Sequence, residues 1–214
     1  MNDFTIGTCV GLVQTVVGHP LDSIKTNFQN NSNYNIKYRS LYNGLRYPMV
    51  STVITNGFLF HFNNSIESKI NNSFLSGFAT GIICAPMINV FEVYKVKTQL
   101  SNKVNFKNNK NLLKLGLTAT LIRESFGTCL YFGTYNFCRK EELNPFFSGA
   151  IAGSTSWLTT YPVDVVKTRV QSGEFKTYRS AIRKGNLLQG LGICLFRSIL
   201  VNGISFTAYD FLKF

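Results

Sequence analysis

The chain has 214 residues, 45% of them apolar, and a formal net charge of +12. That length fits one or two soluble domains or one compact membrane bundle. A mean hydropathy of +0.06 excludes neither, because a helix that faces a wet cavity keeps one polar side. The five cysteines form no CxxC pair, which argues against a disulfide framework or a zinc site. They read as small packing residues, and the separated His19 and His61 as structural. No nucleophile–base pair, metal cluster or phosphate loop stands out, so the expectation is a protein that is not an enzyme and uses no cofactor.

The first apolar segment, near 4–29, opens at Phe4, so no cleavable presequence is expected. It carries Gly7 and Gly11, then Pro20, Asp22, Lys25 and Gln29. The second, near 45–66, follows Gly44 and contains Ser51, Asn64 and then Glu67. The third, near 74–99, has Gly77 and Gly81, then Val90, Glu92, Lys95 and Gln99. The fourth, near 112–139, follows Gly116 and holds Arg123, Glu124, Asn136 and Arg139. The fifth, near 146–171, has Gly149 and Gly153, then Trp157, Pro162, Asp164, Lys167 and Gln171. The sixth, near 188–213, begins around Gly190 and contains Arg197, Asp210 and Lys213.

These residues repeat in register. The glycine pairs recur at separations of 70 and 72 residues. An acid, a lysine and a glutamine follow each pair at fixed offsets. The chain therefore divides into three repeats, 1–71, 72–143 and 144–214, each with two apolar segments around a basic loop. Crossing the hydrocarbon takes about 20 apolar residues per helix, and backbone in lipid must satisfy its own hydrogen bonds. The segments are accordingly expected to be membrane helices, with the GxxxG pairs letting neighbours approach closely. Most of the 22 Lys and Arg lie in the three alternate loops, as in membrane proteins that fix orientation by positive charge. A nucleic-acid-binding face is the competing reading. No nucleic-acid motif accompanies the basic loops, so no nucleic-acid partner is expected.

The segments PLDSIKTN (20–27), VFEVYKVK (90–97) and PVDVVKTR (162–169) resemble the threefold signature of the mitochondrial carrier family, and the likeness covers essentially the whole chain. It implies an all-α membrane protein of six transmembrane helices in three pseudo-threefold repeats around a central cavity. It also implies a monomer of the mitochondrial inner membrane that works by alternating access, with both termini toward the intermembrane space. The sequence departs from the family at Val90, where proline is expected and Pro86 lies one turn earlier, and at Asn27. It departs again at Tyr42-Asn43-Gly44, Lys114-Leu115-Gly116 and Leu188-Gln189-Gly190, where an aromatic-basic-Gly element is expected. Membrane lipid, cardiolipin included, is the partner the family implies near that element. Short loops and Asn-rich linkers such as QNNSNYN resemble a viral member. That likeness implies a small anionic substrate, a nucleotide or deoxynucleotide such as dATP, dTTP, ATP or ADP, moved by exchange.

Equivalent positions suggest two gates. In a threefold bundle Asp22 can meet Lys95, Glu92 can meet Lys167, and Asp164 can meet Lys25, closing the matrix side. Gln29, Gln99 and Gln171 match the family's bracing glutamines. For the cytoplasmic gate the family expects an aromatic, an acid and a base on each even helix. Here Asp210 and Lys213 complete the set, Asn136 stands with Arg139, and Asn64 stands with Glu67. By the same cyclic pairing Asp210 would face Glu67. Two like charges would make this gate weak, and the empty protein is expected to rest open on that side.

Ser51, Arg123 and Arg197 each lie seven residues after a repeat glycine, near mid-membrane, where an arginine is costly without a partner or water. They match the family's substrate contact points, with the arginines taking a carboxylate or phosphate through charge-assisted hydrogen bonds. The plainer reading is that Arg123 pairs with Glu124, but adjacent helical residues do not face each other well. Arg123-Glu124 resembles amino-acid carriers, whereas nucleotide carriers have glycine and an aliphatic residue there. Trp157 reads equally as a stacking platform for a base or as an interfacial anchor. Three functions therefore stand: a nucleotide exchanger, an amino-acid or cationic-metabolite carrier, and a non-transporting anchor or receptor.

Overall fold

The computed structural model describes residues 2–29, 45–99, 117–171, 177–188 and 190–213. Among these the chain is helical with no strand: α1 (Asp3–Gln29), α2 (Arg46–Ile70), α3 (Ser73–Gln99), α4 (Leu117–Lys140), α5 (Pro145–Gln171), α6 (Tyr178–Arg183) and α7 (Leu191–Lys213). Six long helices correspond to the six apolar segments. The short α6 lies where the sequence reads as a basic loop. Its N-cap Thr177 accepts from Ser180 N at 3.4 Å, and its buried Ala181 packs on Val166 of α5. Arg169 ties the turn down by donating from Nη1 to the carbonyls of Ala181 and Gly185, both at 2.9 Å. Pro20, Pro86 and Pro162 all lie inside helices, Pro86 one turn early as read.

The turns between α2 and α3 and between α4 and α5 share one chemistry. Asn72 Oδ1 accepts from Phe74 N at 3.0 Å, and Asn144 Oδ1 accepts from Phe146 N at 3.0 Å. Each asparagine side chain satisfies N–H groups that the first turn of a helix leaves unpaired. Just before them Asn71 (φ 53°) and Glu142 (φ 58°) take the left-handed conformation that ends the preceding helix.

Successive long helices pack side by side, α1 on α2 through to α5 on α7, and α7 packs back on α1, closing a ring. The glycine pairs face the next long helix: Gly7 and Gly11 of α1 meet α2, Gly77 and Gly81 of α3 meet α4, and Gly149 and Gly153 of α5 meet α7. A Cβ on Gly7 would lie 2.6 Å from the carbonyl oxygen of Asn56, and one on Gly149 would lie 2.6 Å from that of Asn202. Backbone contact this close is what a small-residue stripe permits.

Polarity is distributed inside out. Thr80, Asn89, Thr120, Ser148 and Ser205 are fully buried, while Ile83, Phe126, Leu158 and Phe196 are exposed. Water would oppose such an exterior; lipid favours it. Asp3–Leu21, Ser73–Glu92 and Leu191–Lys213 are long and apolar enough to cross a membrane. The other long helices carry more polar residues.

Candidate functional site

All six long helices contribute to a central cavity of about 310 Å³. Each of the five residues expected to hold substrate lines it: Ser51 from α2, Arg123 and Glu124 from α4, Trp157 from α5 and Arg197 from α7. Gln14 of α1 and Glu92 of α3 also line it.

Arg123 meets three carboxylates. Its Nη2 donates to Glu92 Oε1 at 2.8 Å and also to Glu124 Oε1. Its Nε lies 3.5 Å from Asp164 Oδ1, and its Cζ 5.9 Å from the centre of the Trp157 ring. The expectation that Arg123 and Glu124 pair poorly is thus corrected. Their Cβ atoms diverge, but the long arginine stem folds its guanidinium back to its neighbour while still reaching α3 and α5. Trp157 stands on the cavity beside this cation. Arg197 lies over Gly18, where an added Cβ would come within 3.0 Å of its Nη2.

Of the expected matrix-side pairs, Glu92 and Lys167 are joined by an ion pair, with the Lys167 side chain only 1% exposed. Asp164 meets Arg123. The side chains of Asp22, Lys25, Lys95, Gln29, Gln99 and Gln171 lie outside the described residues, and so do the pairs that involve them.

The end at which α1 begins and α7 finishes carries a second cavity of about 460 Å³. Here Arg139 Nη2 binds Asp210 Oδ2 at 2.7 Å, and Tyr135 donates its hydroxyl to Asp210 Oδ1 at 2.6 Å. Asn136 Nδ2 donates to Glu67 Oε1 at 2.8 Å, Ser73 Oγ donates to the same oxygen at 2.5 Å, and Asn64 Nδ2 reaches the Tyr209 hydroxyl at 3.3 Å. Lys213 Nζ donates to that hydroxyl at 3.1 Å.

The expected confrontation of Asp210 with Glu67 does not occur. The ring runs in the other sense, so that Asp210 meets Arg139, and Glu67 meets the donor amide of Asn136. Nor does this end stand open in the structure. Phe60, Phe132, Tyr135, Phe206 and Tyr209 form a buried layer between the two cavities, with Tyr135 stacked on Phe206 at 3.7 Å and Phe60 on Tyr209 at 4.8 Å. Aromatic stacking supplies the closure that the degraded charge pattern lacks.

Sequence reasoning missed a polar chain beside the central cavity. Asn56 Nδ2 donates to Gln14 Oε1 at 2.6 Å, Gln14 Nε2 reaches Asn202 Oδ1 at 3.4 Å, and Tyr131 donates to that same oxygen at 3.2 Å. Asn202 in turn donates to Ser198 Oγ at 2.8 Å. The available signal was an amide isolated in each apolar run: LVQTVV, ITNGFL and LVNGIS.

A family profile described as "Mitochondrial carrier protein" matches residues 141–214. The chain is 28% identical to the mitochondrial arginine transporter BAC2 of Arabidopsis thaliana, over 97% of this chain and 89% of that protein. It is 26% identical to mitochondrial ornithine transporter 1 of Schizosaccharomyces pombe, over 98% of this chain and 91% of that protein. With the human mitochondrial basic amino acids transporter the identity is 27%, over 94% and 79%.

A helical ring with an apolar exterior and a charged cavity on its axis, similar along nearly its whole length to transporters, is a solute carrier. Its likeness is to the mitochondrial carrier family, in the profile matched at residues 141–214 and in the relatives matched along nearly the whole chain. The relatives named above carry arginine, ornithine or basic amino acids, and the expected nucleotide substrate finds no support among them.

Proposed function

We propose that the chain carries basic amino acids, of the arginine, ornithine and lysine class, across the mitochondrial inner membrane. In this reading it is a six-span bundle of three repeats, 1–71, 72–143 and 144–214. The observation that carries the reading is Glu124 beside Arg123 on the cavity wall, where a nucleotide carrier would have no carboxylate. Basic side chains bind Glu124 and Glu92, the α-carboxylate binds Arg197, and Ser51 supplies a neutral hydrogen-bonding group. A cavity of about 310 Å³ lies at the small end of the roughly 300–1,000 Å³ range of ligand pockets, in keeping with an amino acid.

Access alternates between two gates. On the matrix side these are Asp22, Lys25, Glu92, Lys95, Asp164 and Lys167, braced by Gln29, Gln99 and Gln171. On the intermembrane side they are Asn64, Glu67, Asn136, Arg139, Asp210 and Lys213, with the aromatic layer beneath. Both termini face the intermembrane space.

The test is uptake of labelled arginine, ornithine and dATP by liposomes containing the purified protein. Saturable arginine or ornithine uptake that ATP does not compete supports the reading. Uptake of dATP alone overturns it, and no saturable uptake of any of them favours an anchor or receptor.

A further inference from the structure

The Arg123 guanidinium marks a receptor for a guanidinium or ammonium group. Carboxylates from three helices converge on it: Glu92 of α3, Glu124 of α4 and Asp164 of α5. Trp157 presents its ring at 5.9 Å. Carboxylates plus an aromatic face are what a cationic head group selects. Glu92, Glu124 and Trp157 all line the central cavity, so a solute in that cavity meets the same groups.

The geometry points to Arg123 as a tethered stand-in for the substrate's cation. It fills the cation subsite of the empty carrier, and an incoming basic side chain displaces it. This rests on the basic amino-acid reading above. A charge inside a membrane bundle needs a partner, and in the empty protein Arg123 supplies countercharge to Glu124 and Asp164 and shares Glu92 with Lys167. While there it ties α4 to α3 and α5. A substrate cation takes over Glu124 and Glu92 and releases Arg123 from Asp164, which loosens the three helices at the end opposite the aromatic layer. Binding thereby shifts the gate by a difference in contacts, as any ligand-driven change must. A substrate without a cationic side chain does not dislodge Arg123 and gains nothing from its loss.

The opposite assignment gives Arg123 the substrate's carboxylate, and the two differ in sign. With Arg123 as a stand-in, Arg123→Gln lowers the KM for arginine severalfold. It leaves the KM for citrulline, in which a neutral ureido group replaces the guanidinium, unchanged. With Arg123 as a carboxylate contact, the KM rises for both.

The measurement is initial-rate uptake of labelled arginine, with citrulline as competitor, in proteoliposomes of the wild type, Arg123→Gln and Arg123→Lys. Arg123→Lys keeps a competing cation but loses the planar fork that spans the three carboxylates, so the KM falls by less than in Arg123→Gln. This variant decides the matter if Arg123→Gln does not fold. If the variant folds but does not turn over, the arginine-induced rise in Tm is read instead. A larger rise than in wild type supports displacement, and an equal or smaller one overturns it. Failure of the wild type to transport or bind any basic amino acid removes the underlying reading; transport by the wild type with a raised KM in the variants removes this inference alone.

Discussion

The two sides of the central cavity are closed by different chemistry. Toward the chain termini lie stacked rings, hydrogen bonds from neutral donors to the carboxylates of Glu67 and Asp210, and the Arg139–Asp210 ion pair. On the far side Glu92 is shared between Arg123 and Lys167, and Asp164 stands within reach of Arg123. Rings and amides can separate at modest cost, because each remains compatible with a partly wet vestibule. Buried charges cannot separate without replacement partners. An aromatic closure can therefore open spontaneously, whereas a charged closure beside the binding site opens when something charged takes its place. The contrast assigns ligand control to the far side.

The strongest way to break this contrast is at the cavity itself. Arg197→Ala is expected to abolish uptake of labelled arginine while the purified protein keeps its helical circular dichroism and a cooperative melt. Full activity in that variant would remove Arg197 from the site. Next in size is Lys167→Ala. It strips the cation from a side chain that is only 1% exposed and is expected to cost about 3–5 kcal/mol, the usual effect of breaking a buried pair from one side. Lys213→Ala at the terminal end, where the residue is exposed, is expected to cost less than about 1 kcal/mol. Thermal unfolding followed by the reactivity of the buried thiols of Cys84, Cys138 and Cys194 measures both. Equal losses would erase the distinction between the ends.

This contrast was half legible in the sequence. Charged residues at fixed offsets, such as Glu92 and Lys167, announce themselves because a membrane interior tolerates charge only where it is partnered, and the period shows which residues are equivalent. Ser51, Arg123 and Arg197 were legible because they stand at matching places, in the second turns of α2, α4 and α7, and Glu124 and Trp157 join them at one cavity. The aromatic layer did not announce itself. Phe60, Phe132 and Phe206 differ from the many lipid-facing phenylalanines only in the side of the helix they occupy, and that depends on rotation and not on composition. The sense of the terminal ring was misread for a related reason. Position along a helix does not say which neighbour a side chain leans toward, and Asp210 reaches Arg139 on one side when Glu67 was expected on the other. The Arg123–Glu124 pair was discounted by a rule that holds for short side chains and fails for a long forked one.

A smaller effect tests the scaffold shared by both ends. In Gly7→Ala the new methyl would meet the backbone of Asn56 and Gly57, at 2.6 and 2.9 Å. Backbone cannot rotate away, so α1 and α2 must part, at a cost of about 1–3 kcal/mol. Gly192→Ala, whose Cβ meets nothing within 4 Å, is the control and is expected to leave Tm unchanged or slightly raised. A lowered Tm in both would mean that helix flexibility, and not close approach, is what these glycines provide.

The smallest effect belongs to Tyr135→Phe. The substitution keeps the ring that stacks on Phe206 at 3.7 Å and leaves Arg139 on Asp210. It removes only the hydroxyl that donates to Asp210 Oδ1 at 2.6 Å. One net hydrogen bond is worth about 0.5–1.5 kcal/mol, or up to about 3 when a partner is charged; with the arginine still satisfying the carboxylate, the lower figure applies. If the terminal closure opens in every cycle, this hydrogen bond is broken before transport, and its loss lowers the opening barrier. The uptake rate should therefore rise or hold steady while Tm falls slightly, with the KM for arginine unchanged because Tyr135 does not line the central cavity. A slower rate with a raised KM would mean that the hydroxyl helps to form the binding site, and the aromatic layer would then belong to substrate recognition and not to closure.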